Sequence, residues 1–310
     1  MRRRAALLLP AAWAGALMTT GSQTMADSTS PTLASYYARH MALAGGVAHG
    51  WVGQGAPRRL MEGVRQVGVS RDAWFALRDN GELVTWTDAP ERAATLMRSV
   101  ASFAAGQSGW FAIDRAMVLW HGSAGRTMPQ RIAEHAVAAC IGDSADYYIA
   151  HDGALFVKGL AHRGQYGDGK LTPTPEFVTT AADALAVAAH TGHAIYLRRD
   201  GVVLGTGGNR FGPLSSHGLG DKAERWGPIF EGAAAIATGS RHSVALRPDG
   251  PGSHSLWAWG EGFATEPRKL RDGVLAVAAG DTATIAWAGD GTLWQWEAGA
   301  GPQRVALRLS

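Results

Sequence analysis

An internal repeat of about 40 residues runs through most of the chain, and it restricts the possible folds more than any other feature. Six copies cover residues 66–87, 99–122, 136–159, 185–207, 234–260 and 275–297. Each copy contains an apolar run, a turn of small residues, a second apolar run, and a third run that ends in or beside Trp or Gly. The equivalent positions are Ala76, Ala112, Tyr148, Tyr196, Ala245 and Ala286. A chain organised in this way forms a repeat architecture, in which each copy is one small structural unit.

A seventh, degenerate copy lies upstream of these six. Residues 39–55 follow the same order of apolar runs and small residues, and Ala42 takes the position of Ala76 in the next copy. We therefore count seven copies, with six copies plus a closing strand as the alternative.

The local pattern within a copy predicts β-strands. The apolar runs are short and rich in Val, Ile, Trp and Tyr, which favour a pleated, half-buried surface. Tight hairpins with positive φ at both turn positions are predicted at Asn80-Gly81, Asp152-Gly153, Asp200-Gly201 and Asp290-Gly291. Beyond the N-terminus, helical periodicity is confined to a weak stretch in residues 89–98. Repeats of this length and content predict an all-β, seven-bladed β-propeller that forms one domain over residues 33–310.

The charge balance gives no support for a nucleic-acid partner. The chain has 29 Lys and Arg against 26 Asp and Glu, and three of the arginines are Arg2, Arg3 and Arg4. Without these three the charges are balanced, whereas nucleic-acid binders normally carry a basic surplus. A single Cys excludes both an intrachain disulfide framework and a zinc site built from several cysteines.

The N-terminus has the features of a secretory leader. Three arginines precede the apolar run from Ala5 to Met18, and Thr24-Met25-Ala26 forms a small-residue cleavage site. We predict a signal peptide at residues 1–26 and a short linker at residues 27–32, with a weakly amphipathic helix as the alternative. The mature protein is then expected in the periplasm or outside the cell, as a monomer that is not inserted in a membrane.

One copy resembles the repeat of the regulator of chromosome condensation 1 family. Residues 239–246, with the sequence GSRHSVAL, match the core of that repeat, and Trp257-Ala258-Trp259-Gly260 continues the pattern. The glycine-rich segment from Gly159 to Gly169 resembles the outer connection of the same family. The resemblance implies a seven-bladed propeller. The histidine of the family repeat is kept only at His193 and His242, so the nucleotide-exchange activity of the eukaryotic members is the least favoured function. Secreted bacterial members that inhibit β-lactamases through loops on one face are closer functional analogues.

The sequence contains none of three common catalytic motifs: His-Glu-x-x-His, Gly-x-Ser-x-Gly or the phosphate-binding Gly-x-x-x-x-Gly-Lys-Ser/Thr. We therefore predict no catalytic residues, no cofactor and no metal site. The predicted function is an exported, non-enzymatic scaffold of the inhibitor, immunity or adaptor type that binds another protein. A carbohydrate-binding propeller and a propeller-type hydrolase or lyase remain as alternatives.

Candidate binding residues lie at or near the small-residue turns and in the long connection of residues 208–232, where loops on a rigid scaffold carry specificity. Trp74 and Trp110 hold a position that is Asp146 in another copy, and this variation suggests interface anchors at the mouth of the ring, with burial between blades as the alternative. A hydrogen bond to the turn backbone is the alternative for His193 and His242, and turn capping for Asp72 and Asp281. The candidates are Asp72, Trp74, Trp110, Asp146, Tyr147, His193, Trp226, Arg241, His242 and Asp281.

The leader gives a first testable prediction. Expression of the full chain in a Gram-negative host with an intact secretory pathway should yield protein that begins at Asp27, because Ala26 completes the small-residue site. Intact-mass measurement of the periplasmic fraction checks this. Protein that keeps Arg2 to Arg4 and stays in the cytoplasm would contradict it.

Overall fold

The computed structural model describes residues 32–123, 128–216 and 220–307. The predicted signal peptide and nearly all of the predicted linker lie outside these ranges. The described residues form 27 β-strands and one short 3-10 turn, Pro90–Arg92. None of them belongs to a helix long and apolar enough to cross a membrane. The weak helical pattern in residues 89–98 corresponds to this turn and the strand that follows it.

Five antiparallel sheets of four strands come from five consecutive stretches of chain, which we call repeats 1 to 5. The strands of repeats 1 to 3 are β1 (Thr32–Tyr36), β2 (Arg39–Ala44), β3 (Val47–Val52), β4 (Arg58–Glu62), β5 (Val64–Val69), β6 (Trp74–Arg78), β7 (Leu83–Trp86), β8 (Ala94–Met97), β9 (Val100–Gly106), β10 (Gly109–Asp114), β11 (Leu119–Gly122) and β12 (Gln130–Ala133). Those of repeats 4 and 5 are β13 (Ala136–Ile141), β14 (Ala145–Ala150), β15 (Leu155–Gly159), β16 (Thr174–Ala181), β17 (Ala184–Ala189), β18 (His193–Arg198), β19 (Val203–Gly208) and β20 (Lys222–Phe230).

The last two repeats form one sheet of seven strands. These strands are β21 (Ala235–Thr238), β22 (His242–Gly250), β23 (Ser253–Gly260), β24 (Arg268–Ala279), β25 (Ala283–Ala288), β26 (Leu293–Glu297) and β27 (Gln303–Val305). The long strand β24 pairs with β23 over its first half and with β25 over its second half, and Val274 belongs to both pairings. We call the two parts repeats 6 and 7, and each then has four strand segments. The seven-blade count stays a prediction, and this division of the strands supports it.

Burial decreases from the first strand of a repeat to the fourth. In repeat 1 every residue of β1 is buried, whereas β4 has no buried residue. The first strands therefore lie at the centre of the molecule and the fourth strands at its rim. Cys140, in the first strand of repeat 4, is fully buried, and burial raises the pKa of its thiol to about 12.

Apolar side chains join each repeat to the next. Seven buried clusters occur in the described residues, and each draws its members from two neighbouring repeats. The cluster that joins repeat 7 to repeat 1 packs Leu33 and Trp51 against Ile285 and Leu293. The Trp51 Nε1 atom also donates a hydrogen bond of 3.1 Å to Gln295 Oε1. The first and last repeats thus cover each other, and the predicted β-propeller fold is confirmed.

Hairpin turns lock neighbouring repeats together through the backbone. The carbonyl oxygen of Gly81 accepts a hydrogen bond of 3.0 Å from Val100 N–H, the first residue of the next repeat, and Gly153 accepts one of 2.9 Å from Ala184.

Among the four Asn-Gly and Asp-Gly turns only the glycines have positive φ, so the prediction of two such positions per turn is wrong. The Asn or Asp side chain instead accepts the N–H two residues later, as Asn80 does from Glu82 at 3.0 Å.

The tryptophans of the third strands occupy two positions. Trp86, Trp259 and Trp296 pair with Trp74, Ser243 and Thr284, which are equivalent residues of the second strands. Trp120 pairs with Ala112 two places further along, so it corresponds to Trp257 and Trp294.

Ring closure depends on Trp51. Replacing Trp51 with Ala should lower the free energy of unfolding by about 3–5 kcal/mol, because it opens a cavity between repeats 1 and 7. Urea denaturation followed by far-UV circular dichroism measures the change. The matched control is Trp120→Ala, a half-buried Trp away from this interface, which should cost clearly less. Equal losses in the two variants would show that the closing interface contributes no more than an ordinary contact.

Candidate binding face

Two kinds of connection lie at the same end of the sheets. Successive strands run in opposite directions, so the turns between first and second strands emerge on the same side as the connections between third and fourth strands. We call this side the loop face and the opposite side, formed by the hairpins between second and third strands, the hairpin face. The predicted turn residues Asp72, Arg241 and Asp281 are all on the loop face.

The centre of the loop face is closed by polar and aromatic side chains from several repeats. The Tyr36 hydroxyl donates to the carboxylate of Asp143, and the Tyr36 ring stacks on His190 at a centroid distance of 4.7 Å. Asp143 also accepts a hydrogen bond of 3.1 Å from the Thr191 hydroxyl. Burial lowers the pKa of His190, and burial together with Asp143 raises the pKa of Tyr36. Repeat 1 is thereby tied to repeats 4 and 5 across the axis of the ring.

Hydrogen bonds hold the first long connection, residues 160–173, and the described part of the second, residues 209–216 and 220–221. In residues 160–173, the Tyr166 hydroxyl donates to the Gly159 carbonyl at 2.9 Å and accepts the Thr174 N–H at 2.9 Å. In the second connection, Asn209 Oδ1 accepts the Leu214 N–H at 2.9 Å, and the Pro213 carbonyl accepts Trp259 Nε1 at 2.7 Å. Both described loops are therefore organised by hydrogen bonds of their own.

A recess of about 990 Å³ lies between these two connections and the centre of the loop face. Four cationic residues contribute to its walls: Arg163, Arg210, Lys222 and Arg241. The Arg241 guanidinium pairs with Glu261 at 3.0 Å and lies 4.3 Å above the ring of Phe211, which is 40% exposed. Lys222 pairs with Glu224 at 2.7 Å. Within the described residues, no carboxylate lies within salt-bridge distance of Arg163 or Arg210. We call this surface the recess.

The structure brings Arg241, Asp281 and the buried His193 together in the recess. Asp72 is exposed on the loop face, but at a separate cavity between repeats 2 and 3. Trp226 is half-buried beside the first long connection, where its Nε1 donates to Thr180 Oγ1 at 3.0 Å. The long connection of residues 208–232 contains Arg210, Phe211 and Lys222, which the sequence analysis did not select. For Arg210 and Phe211, the adjacent arginine and aromatic residue in an inserted loop were a sequence feature that could have indicated a binding role.

Five of the candidate residues are buried, and for these the prediction of an exposed binding role is corrected. They are Trp74, Trp110, Tyr147, His193 and His242. Each lies near the start of a second strand, whose side chains point alternately toward the two neighbouring repeats. Trp74 packs between repeats 1 and 2 beneath the guanidinium of Arg39, at 5.0 Å. Trp110 packs between repeats 2 and 3. Of the two explanations for these tryptophans, burial is the one that the structure supports.

The two family histidines bond to the next repeat. His193 Nε2 lies 3.1 Å from Ser243 Oγ, and His242 Nε2 lies 2.9 Å from Thr284 Oγ1. The prediction that they bond to the backbone of their own turns is wrong, because their rings point into the space between repeats. Burial lowers the pKa of His193 to about 3 and that of His242 to about 4, so both are neutral at pH 7. In the part of the chain that the structure describes, no group of three or more His, Cys, Asp or Glu residues could hold a metal ion.

Asp146 holds the position of Ser243 and Thr284 in repeat 4. Ser243 and Thr284 are each hydrogen-bonded to a histidine of the repeat before their own. Repeat 3 has Gly109 at the position of that histidine, so Asp146 has no equivalent hydrogen-bond partner. Burial raises the pKa of its carboxyl to about 7, and Lys158 opposes this effect. The side chain is half-buried beside Lys158 on the paired strand.

Comparison with known proteins supports the fold. No family model matches the chain. The secretion-regulating guanine nucleotide exchange factor of Bos taurus is 29% identical over 161 residues, which are 46% of this chain and 33% of that protein. The chain therefore spans about a third of the length of the curated relative that it matches. Two solved structures superpose with a TM-score of 0.69: Prp20p of Saccharomyces cerevisiae, at 16% identity over 82% of this chain and 81% of that one, and human WBSCR16, at 14% identity over 83% and 85%.

The class of protein follows from these observations together. Four-stranded antiparallel repeats, ring closure and the superpositions define a β-propeller of the type found in Prp20p. The GSRHSVAL repeat core and the similarity to the exchange factor support the resemblance of the repeats to those of the regulator of chromosome condensation 1 family.

The carboxyl of Asp146 gives a pH-dependent prediction. The folded protein holds this carboxyl protonated to a higher pH than the unfolded chain does, so Asp146 costs stability as the pH rises from about 4 to above 7. Asp146→Asn should therefore be near neutral at pH 4 and stabilising by about 2–4 kcal/mol at pH 8, since tenfold in protonation corresponds to about 1.4 kcal/mol. Urea unfolding at both pH values tests it, with Asp152→Asn, in an exposed hairpin, as control. A gain that is equal at both pH values would refute the assignment.

Proposed function

We propose that the protein is an exported, non-enzymatic propeller scaffold that binds another protein through the recess, in a role of the inhibitor, immunity or adaptor type. The observation that carries this proposal is the pair Arg163 and Arg210, two exposed arginines without a carboxylate partner in the described residues, beside the exposed ring of Phe211. Arginine and aromatic side chains are the residues that dominate binding energy at protein interfaces.

The two recess arginines that have no carboxylate partner in the described residues favour an acidic group on the partner, beside Asp221 and Asp281, which also line the recess. Lys222 and Arg241 are paired with carboxylates of this chain, which leaves the guanidinium groups of Arg163 and Arg210 available to a partner. A guanidinium binds a carboxylate through two parallel hydrogen bonds, so an Asp or Glu of the partner suits this geometry. We infer that the partner presents carboxylates around an apolar contact with Phe211.

Backbone geometry makes room for Arg163. A Cβ atom at Gly192 would lie 3.1 Å from Arg163 Nη1, and one at Gly208 would lie 3.5 Å from its Cδ atom. Only the first of these contacts is tighter than an ordinary van der Waals contact, so glycine at position 192 is the one that leaves room for the Arg163 side chain. Because both connections are held by their own hydrogen bonds, little conformational entropy is lost when a partner binds.

The comparisons support a binding role of this kind. The report on Prp20p describes its binding to Gsp1p and histones, which are proteins. The secretory leader and the balanced charge of the mature chain favour a partner outside the cytoplasm over a nuclear one. The buried, neutral states of His193 and His242 also remove these two histidines as surface acid–base groups.

Charge reversal tests the recess. Mature protein should capture a defined set of proteins from a periplasmic or culture extract of its source, identified by mass spectrometry. The double variant Arg163→Glu/Arg210→Glu should lose at least tenfold of the capture, because loss of one hot-spot contact already costs more than 1 kcal/mol. The affinity for the identified partner should also fall with added salt.

The matched control reverses two arginines on the hairpin face, Arg115→Glu/Arg199→Glu, both exposed. These changes alter the net charge by the same amount, so the control should capture as the unmodified protein does. Equal loss in both double variants would point to nonspecific electrostatics, and unchanged capture by the recess variant, with its circular dichroism intact, would refute the proposal.

A further inference from the structure

A second cavity lies between repeats 2 and 3 on the loop face and shares no lining residue with the recess. Its volume is about 530 Å³, within the range of small-molecule sites. Phe75, Leu96 and Trp110 form its apolar walls, and Asp72 and Asp88 contribute carboxylates. We call this cavity the socket.

Three equivalent grooves in the ring are filled by the connection between third and fourth strands. Tyr166 fills the groove between repeats 4 and 5, Leu214 that between repeats 5 and 6, and Phe263 packs between repeats 6 and 7. Tyr166 is 2% exposed and Leu214 is fully buried. In each case a bulky side chain from a loop closes the outer end of the groove.

Repeat 2 lacks such a side chain. Its connection, residues 87–93 (TDAPERA), has no aromatic or large aliphatic residue. Ala93 packs on the other side of the sheet, with the cluster that joins repeats 1 and 2, and the cluster that joins repeats 2 and 3 receives no residue from this connection. The groove between repeats 2 and 3 is therefore open on the loop face.

Two substitutions within the repeat pattern shape the socket. Ala73 stands where repeats 5 and 6 have His193 and His242, so the ring that extends toward the next repeat is replaced by a methyl group. Gly122 stands where repeat 6 has Trp259, and the Trp110 ring occupies that space, since a Cβ atom on Gly122 would lie 2.1 Å from it. The wall is thus a fixed, buried indole, and the space in front of Ala73 remains open.

We propose that the socket binds a phenol-type ring, as the side chain of a tyrosine in a partner protein or as a small phenol. Tyr166 shows how such a ring is held in the equivalent groove between repeats 4 and 5: the ring is buried and its hydroxyl exchanges hydrogen bonds with Gly159 O and Thr174 N–H at the rim. The socket has acceptors for a phenol hydroxyl in Asp72 and Asp88 and a donor in Arg92. The ring of the ligand fills the socket in the same way that Tyr166, a residue of the chain itself, fills the groove between repeats 4 and 5.

Binding of p-cresol, the side-chain analogue of tyrosine, tests the proposal. We expect saturable binding, measured by NMR shifts of the Trp110 indole N–H, with toluene at least fivefold weaker because it lacks the hydroxyl. The variant Ala73→His, which restores the residue found in repeats 5 and 6, should abolish binding by filling the socket. Ala94→Phe, on β8, fills it independently, so the test survives if one variant does not fold.

The matched control is Thr95→Phe, next to Ala94 on the same strand but outside the socket, which should bind p-cresol normally. N-acetyl-tyrosinamide distinguishes the two sources: binding equal to that of p-cresol indicates a tyrosine of a partner protein, and binding of p-cresol alone indicates a small phenol. Absence of saturable binding, equal binding of toluene, stronger binding of methyl β-glucoside, or binding that persists in both filled variants would overturn the proposal. The recess variant Arg163→Glu/Arg210→Glu should bind p-cresol normally, so failure of one proposal is distinguishable from failure of the other.

Discussion

The packing of each sheet against its two neighbours is the interaction on which the rest of this structure depends. A four-stranded sheet of about 40 residues has two apolar faces and cannot cover both alone. The ring solves this by giving every face a neighbour, including the cluster of Leu33, Trp51, Ile285 and Leu293 between the first and last repeats. Within the described residues no strand is exchanged at this closure, because β1 pairs within repeat 1 and β27 within repeat 7. Side-chain packing holds the ring shut together with hydrogen bonds between the two repeats, including those of Gln295 with Trp51 and with the Gly53 carbonyl.

Side chains that face each other across the interface between two repeats have complementary sizes. Where one repeat has His193 or His242, the next has the small hydroxyl residue Ser243 or Thr284. Where the third strand has Gly122 in place of a tryptophan, the paired second-strand residue is Trp110, whose ring takes up the released space. The variation between tryptophan, serine and threonine at one position is thus the result of complementary sizes across an interface. When the repeats are compared by sequence alone, without their neighbours, the same variation resembles that of residues that bind a partner.

The loop face differs from the hairpin face in the way its connections are used. The hairpins repeat the same backbone hydrogen bond from one repeat to the next, so they serve mainly to join the repeats. The connections on the loop face differ in length and in side chains: the recess lies beside the two long connections, and the socket lies beside the connection of repeat 2, which has no bulky side chain. Differences within one class of connection therefore produce two distinct cavities without a change in the ring.

The sequence by itself determined the repeat, the strands and the propeller, because alternating apolar runs and glycine turns are local features that recur along the chain. It also selected Arg241 and Asp281, which lie in the recess, since both follow the small-residue turns. Only the tertiary structure decided which faces are covered. It buried Trp74 and Trp110, left Arg163 and Arg210 without a carboxylate partner among the residues that the structure describes, and brought Tyr36 onto Asp143, 107 positions away in the chain. These outcomes depend on which side chains of a neighbouring repeat lie opposite the residue in the ring. The sequence of a single repeat does not contain that information.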